Sequence, residues 1–237
     1  MTNPLLVNSS HPQQAPAFDL ILESHFKPAV EEAISMARKN IDAIIANKDV
    51  PTFDNVIVAL ETAAERLESV MVIFYNQLSC NGTDGLQALA QELGPLQANF
   101  GSDIILNADL FKKVKAVYDQ KDKLTLTPEQ TMLLNETYKN FIRGGALLDE
   151  AKKTRLRQIN EEMSVQGPTF ANNVKKSEEQ FELYVADEAD LKGLPENAKI
   201  SAREAAAEKG KPDHYLFTLE FPSYYPLASY CDNRELR

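Results

Sequence analysis

Lys27-Pro28-Ala29-Val30-Glu31-Glu32-Ala33-Ile34-Ser35-Met36-Ala37-Arg38-Lys39-Asn40-Ile41-Asp42-Ala43-Ile44 is the stretch on which the fold turns. Val30, Ile34, Ala37, Ile41 and Ile44 recur at steps of four, three, four and three, which draws one apolar stripe along a 3.6-residue helix. Charged residues fill the opposite side, as an amphipathic helix requires. Pro28 suits a first turn, so the helix is expected to start near Lys27-Pro28 and to end at Asp49-Val50-Pro51.

The same periodicity continues in both directions. Pro4, Pro12 and Pro16 punctuate residues 1–17, which read as an extended arm. Thr52 is placed to cap a second helix reaching Ser79, with a stripe of Val56, Leu60, Ala63, Leu67, Val70, Phe74 and Leu78. At ~1.5 Å per residue this helix alone would be about 40 Å long. Asn81-Gly82 ends it, and a helix opening at Asp84 is expected to bend or restart at Gly94-Pro95. A shorter helix covers about Ala108 to Gln120. Thr127-Pro128-Glu129-Gln130 is a start signal, with a Thr cap, Pro at the first helical position and Gln at the third. Leu134, Tyr138 and Phe141 form the next stripe. Leu148 to Phe181 reads as another long helix, interrupted or kinked at Gly167-Pro168.

Beyond Phe181 the pattern alternates, over Phe181 to Val185 and again over Tyr215 to Leu219, as short strands do. Two short helical pieces lie between them, around Asp187–Lys192 and Pro195–Lys209. The expected fold is mainly α, with long antiparallel helices in a bundle or hairpins and a small two-stranded β element near the C-terminus. Its expected divisions are an arm at 1–17, a long-helix region at 18–180, and an α+β segment at 181–237. No repeat of solenoid period is present.

Bulk composition narrows the function. The 237 residues are 43% hydrophobic and 25% charged, with a net charge of −10 spread along the chain. An acidic surface repels phosphate backbones, which argues against nucleic-acid partners. No apolar run of membrane-spanning length occurs, and Met1 to Pro16 lacks the apolar centre of a signal peptide. Cys80 and Cys231 are too few and too far apart for a disulfide scaffold. The expected setting is cytoplasmic, which makes the sequons at Asn8 and Asn81 chance matches.

The residues that could carry chemistry are scattered. His11, His25 and His214 show no paired spacing, and no Cys-x-x-Cys is present, so zinc has no signature here. There is no G-x-S-x-G elbow (Gly101-Ser102-Asp103 does not imitate one) and no glycine-rich phosphate loop. Cys80 falls at the end of a helix, where the dipole does not lower a thiol pKa. The pairs Glu31-Glu32, Glu161-Glu162 and Glu178-Glu179 lie on solvated faces. Phe221-Pro222-Ser223-Tyr224-Tyr225-Pro226 reads as a stiff loop displaying phenols, either for a peptide or against a neighbouring helix. No catalytic and no metal-binding residue is assigned in the chain, and the substrate-binding residues stay unknown.

The stretches Asn3-Pro4-Leu5-Leu6, Phe18-Asp19-Leu20-Ile21, His25-Phe26-Lys27-Pro28-Ala29 with Ala33-Ile34, and Pro51-Thr52-Phe53-Asp54-Asn55 with Ala59-Leu60-Glu61 fall in a telling order. Asn107 to Phe111, Leu126 to Gln130, Tyr138 to Ala146, Gly193-Leu194-Pro195 and Pro222 to Arg237 extend that order. Together they resemble the N-terminal part of the thimet-oligopeptidase-like zinc metallopeptidases, above all the peptidyl-dipeptidases and oligopeptidases A. The likeness spans essentially the whole chain, with Val165-Gln166-Gly167-Pro168 as a departure from the family's uninterrupted helix.

The resemblance implies a far longer parent enzyme whose His-Glu-x-x-His helix and later Glu bind zinc in a C-terminal half. Short peptides are the implied substrates, and this chain is the implied wall of their channel, itself inactive and without zinc. Asp232 followed by Glu235 reads as a helix start that the chain leaves unfinished, which fits a missing C-terminal catalytic lobe. Phe217, Leu219, Phe221, Tyr224, Tyr225, Leu227 and Tyr230 would then form an exposed patch open to self-association. The rival expectation is a stand-alone helical binding or adaptor protein. Removal of dipeptides and internal cleavage are not distinguished by these residues.

Overall fold

The first helix begins a turn earlier than its proline suggests. In the computed structural model, which describes residues 3–9 and 11–237, α1 runs Glu23–Ala46. His25 Nδ1 accepts the Leu22 backbone N–H at 3.1 Å, satisfying one of the orphan donors at the helix start. Pro28 thus sits inside the helix, where its ring frees the carbonyl of Ser24. The expected arm at 1–17 is partly outside the described residues, which omit Met1, Thr2 and Ser10. Short 3-10 turns occupy Pro4–Leu6 and Pro12–Gln14, and Leu5 is buried.

The second expected helix is a correction. Thr52 caps as anticipated, with its hydroxyl accepting from Asn55 N–H at 3.1 Å and Asn55 Oδ1 accepting from Thr52 N–H at 2.7 Å. The cap opens a π-helical turn, Phe53–Val58, and one turn of α2, Ala59–Glu61, before a break at Thr62 to Ala64 and then α3, Glu65–Cys80. At the break, Asn40 Nδ2 on α1 donates to the Ala63 carbonyl at 2.9 Å, and the Thr62 hydroxyl donates to the Val58 carbonyl at 3.1 Å. The stripe is continuous in sequence, yet its halves enter different cores.

Thr83 caps α4, Asp84–Ile105, through the Leu86 N–H at 3.1 Å. The helix is assigned without a restart at Gly94-Pro95, and Pro95 lies inside it. Asn107 caps α5, Ala108–Tyr118, and the Thr127/Gln130 box opens α6, Pro128–Arg143. α7, Glu150–Gln180, likewise passes Gly167-Pro168 uninterrupted. Pro168 can supply no N–H to the Ser164 carbonyl, but one lost bond on a largely exposed helix does not end it.

The chain divides into two compact units, residues 1–168 and 169–237. Unit 1 has two cores that α1 threads in turn. Phe26, Val30, Ala33 and Ala37 meet Leu67, Val70, Phe74, Leu93 and Phe100 in the first. Ile41 and Ile44 meet Val56, Ile57, Leu110, Val114, Leu134 and Phe141 in the second. Phe74 is fully enclosed and presents its edge to Phe26, the ring centroids 5.2 Å apart.

Unit 2 holds the two strands, β1 (Leu183–Val185) and β2 (Tyr215–Phe217), antiparallel with Leu183 opposite Phe217 and Val185 opposite Tyr215. A 3-10 turn at Glu188–Leu191 and α8, Glu196–Glu208, connect them as the sequence predicts. Val185, Leu191, Leu194, Ala202, Tyr215, Phe217, Leu227 and Cys231 form its core. Gly193 sits at φ 88°, and a Cβ there would collide with the Tyr230 carbonyl oxygen, so this turn needs glycine.

Two local readings give way in unit 2. Phe221 to Pro226 is not a loop but the start of α9, Phe221–Tyr230. Pro222 sits in its first turn, where a missing N–H has no intrahelical partner to lose. The Asp232 helix start is also absent. Asp232 donates its N–H to the Lys192 carbonyl at 2.7 Å, and Asn233 Oδ1 instead caps a single turn through the Glu235 N–H at 3.1 Å. No helix among the described residues is long and apolar enough to cross a membrane.

Candidate functional site

The histidines and cysteines lie apart, in separate local settings. His25 caps α1, and His11 Nε2 lies 3.7 Å from an Asp19 carboxylate oxygen on the exposed arm. His214 stands edge-on to Tyr184 at 6.2 Å, with a buried Nδ1 that has no hydrogen-bond partner. Cys80 is exposed at the end of α3, while Cys231 is buried with its thiol donating to the Asp190 carbonyl at 3.3 Å. Among the described residues no three His, Cys, Asp or Glu side chains gather as metal ligands. The glutamate pairs at 31–32, 161–162 and 178–179 are all exposed.

Exposed aromatic side chains in unit 2 are concentrated on α9. Phe221 is 70% exposed, and Tyr224, Tyr225 and Tyr230 are each about half exposed, at 48%, 49% and 52%. Phe221 and Tyr225, one helical turn apart, stack with centroids 5.0 Å apart and planes 17° from parallel. Leu219 is exposed beside them in sequence. Phe217 and Leu227 do not belong to this patch. Phe217 on β2 and Leu227 on α9 both turn into the core of unit 2. Flat aromatic surface with hydroxyl tips is suited to a partner that is partly apolar and partly hydrogen-bonding.

Two polar clusters in unit 2 hold its elements together. Tyr184 OH donates to Glu182 at 2.8 Å, Lys209 pairs with the same carboxylate at 2.9 Å, and Lys211 Nζ lies 3.4 Å from the Tyr184 ring centroid. The Lys209 and Tyr184 hydrogen bonds hold the Glu182 carboxyl below the usual value, and the Glu182 bond holds the Tyr184 phenol above its own. In the second cluster the buried Tyr215 donates to Glu188 at 2.9 Å, and Lys199 reaches the same carboxylate at 3.2 Å.

Those two donors, Tyr215 first, depress the Glu188 pKa below 4.5, while the same bond raises that of Tyr215. A depressed carboxylate contributes stability above its unfolded value, and the contribution is lost as pH falls through the lower folded value. The melting temperature of Glu188→Gln should therefore lie below that of the wild type at neutral pH. The gap should close as the pH drops below about 4.5. A gap independent of pH would assign Glu188 no such role.

Sequence reasoning missed both clusters and a third in unit 1, where Asp103 receives Arg38 and Arg157. Each cluster includes partners 27 to 65 residues apart, and no short motif encodes them.

No model of a known protein family matches the chain. Among characterised proteins, the dipeptidyl carboxypeptidase of Escherichia coli is 33% identical over 235 residues, covering 99% of this chain and 34% of that protein. Oligopeptidase A of Escherichia coli is 30% identical over 237 residues, covering 100% of this chain and 34% of its own length. A thimet-like oligopeptidase of Dictyostelium discoideum is 22% identical over 90% of this chain and 31% of its own. The chain thus spans about a third of the length of the curated relatives it matches. Throughout that length it is a homologue of the N-terminal third of dipeptidyl carboxypeptidase and oligopeptidase A.

Proposed function

We propose that the chain is the N-terminal, channel-wall portion of a cytoplasmic zinc metallopeptidase that hydrolyses short peptides, with the zinc site in a C-terminal lobe beyond the matched third. The end-to-end likeness to two named peptidases carries this reading. The residues present do not fit zinc: His25 Nδ1 is taken by a backbone N–H, and no third donor gathers around His11 or His214 among the described residues. No step of peptide hydrolysis is therefore assigned to a residue of this chain. Its part is to shape and wall the space in which a short peptide is held. The aromatic face of α9 is the surface we assign to the C-terminal lobe, since it offers the largest exposed rings of unit 2 outside α7.

The test is an assay of the chain alone against short unstructured peptides, with metal analysis of the same sample. The expected result is no hydrolysis and no stoichiometric zinc. Chelator-sensitive cleavage accompanied by one tightly held zinc per chain would overturn the assignment of catalysis to the other lobe.

A further inference from the structure

α7 is attached to unit 1 in a way no other long helix is. No residue of α7 joins any of the three apolar cores, and Lys153 is its one buried residue among those described. Leu156 packs beside Gly145, and a set of polar contacts ties the first half to α4. Arg157 Nη1 meets Asp103 Oδ1 at 2.6 Å, and Asn160 Nδ2 donates to the buried Ser102 hydroxyl at 3.1 Å. One turn further on, the Ser164 carbonyl comes so near Gly94 that a Cβ there would lie 3.0 Å from it. Pro168 leaves that carbonyl without its helical donor, and glycine gives it room.

Asp103 is prepared for this role from the other side. Its Oδ2 receives Arg38 Nη2 at 2.6 Å, and the Arg38 guanidinium in turn lies 5.7 Å from the centre of the Phe100 ring, a core residue. The carboxylate is thereby fixed to α1 and α4, which are both anchored in apolar cores. Only Arg157 belongs to α7. All three charges are partly exposed, so salt screens them, and exposed pairs of this kind are individually weak.

We propose that Asp103 is the catch of a clasp, and that residues 150–168 form an arm that leaves α4 when the catch is neutralised while the rest of unit 1 stays folded. The proposal rests on contacts within unit 1 and is independent of the peptidase reading. Hydrogen exchange by mass spectrometry on the whole chain is the test. In Asp103→Asn, and in Arg157→Leu, amides of residues 152–166 should exchange about two- to fivefold faster than in the wild type, the effect of losing the one pair that reaches α7. Amides of α1 and α5 should change less than about twofold. Arg157→Lys, which keeps the charge, should retain most of the protection. The unmodified chain provides a second reading: salt near 1 M, where the Debye length is about 3 Å, should accelerate the same amides selectively. Unchanged exchange in α7, or acceleration of α1, α5 and α7 in step, would overturn the clasp.

Discussion

Replacing Phe74 by alanine should lower the unfolding free energy by about 3–5 kcal/mol. The ring is fully enclosed, meets Phe26 edge-on and touches Tyr75 in the same manner at 5.3 Å. Its removal forfeits the transfer free energy of a buried aromatic and leaves a cavity between α1, α3 and α4 that those helices cannot fill by sliding. Against a typical total of about 5–15 kcal/mol, such a loss is a large fraction. Phe221→Ala is the control, because that ring is already mostly in water and its removal should change stability by less than about 0.5 kcal/mol. Urea denaturation followed by circular dichroism compares the two. A Phe74→Ala loss below about 1 kcal/mol would contradict the packing described for the first core.

The second large effect concerns association. The exposed rings of Phe221, Tyr224, Tyr225 and Tyr230 should draw isolated chains into concentration-dependent dimers. Full burial of one such side chain contributes about 1.5–3 kcal/mol, and 1.4 kcal/mol is a tenfold change in affinity. Phe221→Ser with Tyr225→Ser should therefore weaken the dimer at least about tenfold. Chains of net charge −10 repel one another, and added salt screens that repulsion while leaving apolar attraction intact. Sedimentation across a concentration and salt series should show dimers that strengthen with salt. A chain that remains monomeric throughout would mean that α9 needs no partner.

Features set by neighbouring residues were legible in the sequence. The four-three stripe of α1, the Thr127-Pro128-Gln130 box and the alternation at β1 and β2 all depend on spacing within one element. The break at Thr62 to Ala64 was not, because the Asn40 side chain that bonds the Ala63 carbonyl lies 23 residues away. The stripe simply continues through the break, and periodicity cannot say that its two halves enter different cores. Two prolines flanking two tyrosines read as a loop at α9, yet Pro222 in a first turn costs the helix no bond. Asp103 gave no signal at all, its partners Arg38 and Arg157 being 65 and 54 residues distant.

For function, the legible part was a resemblance: short stretches in a fixed order, matched by relatives 33% and 30% identical along the whole chain. The aromatic face of α9 was half legible. Its residue types were visible, but which rings turn inward depends on the pleat of β2 and on packing within unit 2.

The most direct test of the central claim is the coding sequence downstream of Arg237. The account predicts an open frame that continues and carries a His-Glu-x-x-His motif with a later glutamate, the ligands this chain lacks. A stop codon immediately after Arg237 in the natural gene would contradict it, and would leave a helical protein that acts without a peptidase lobe.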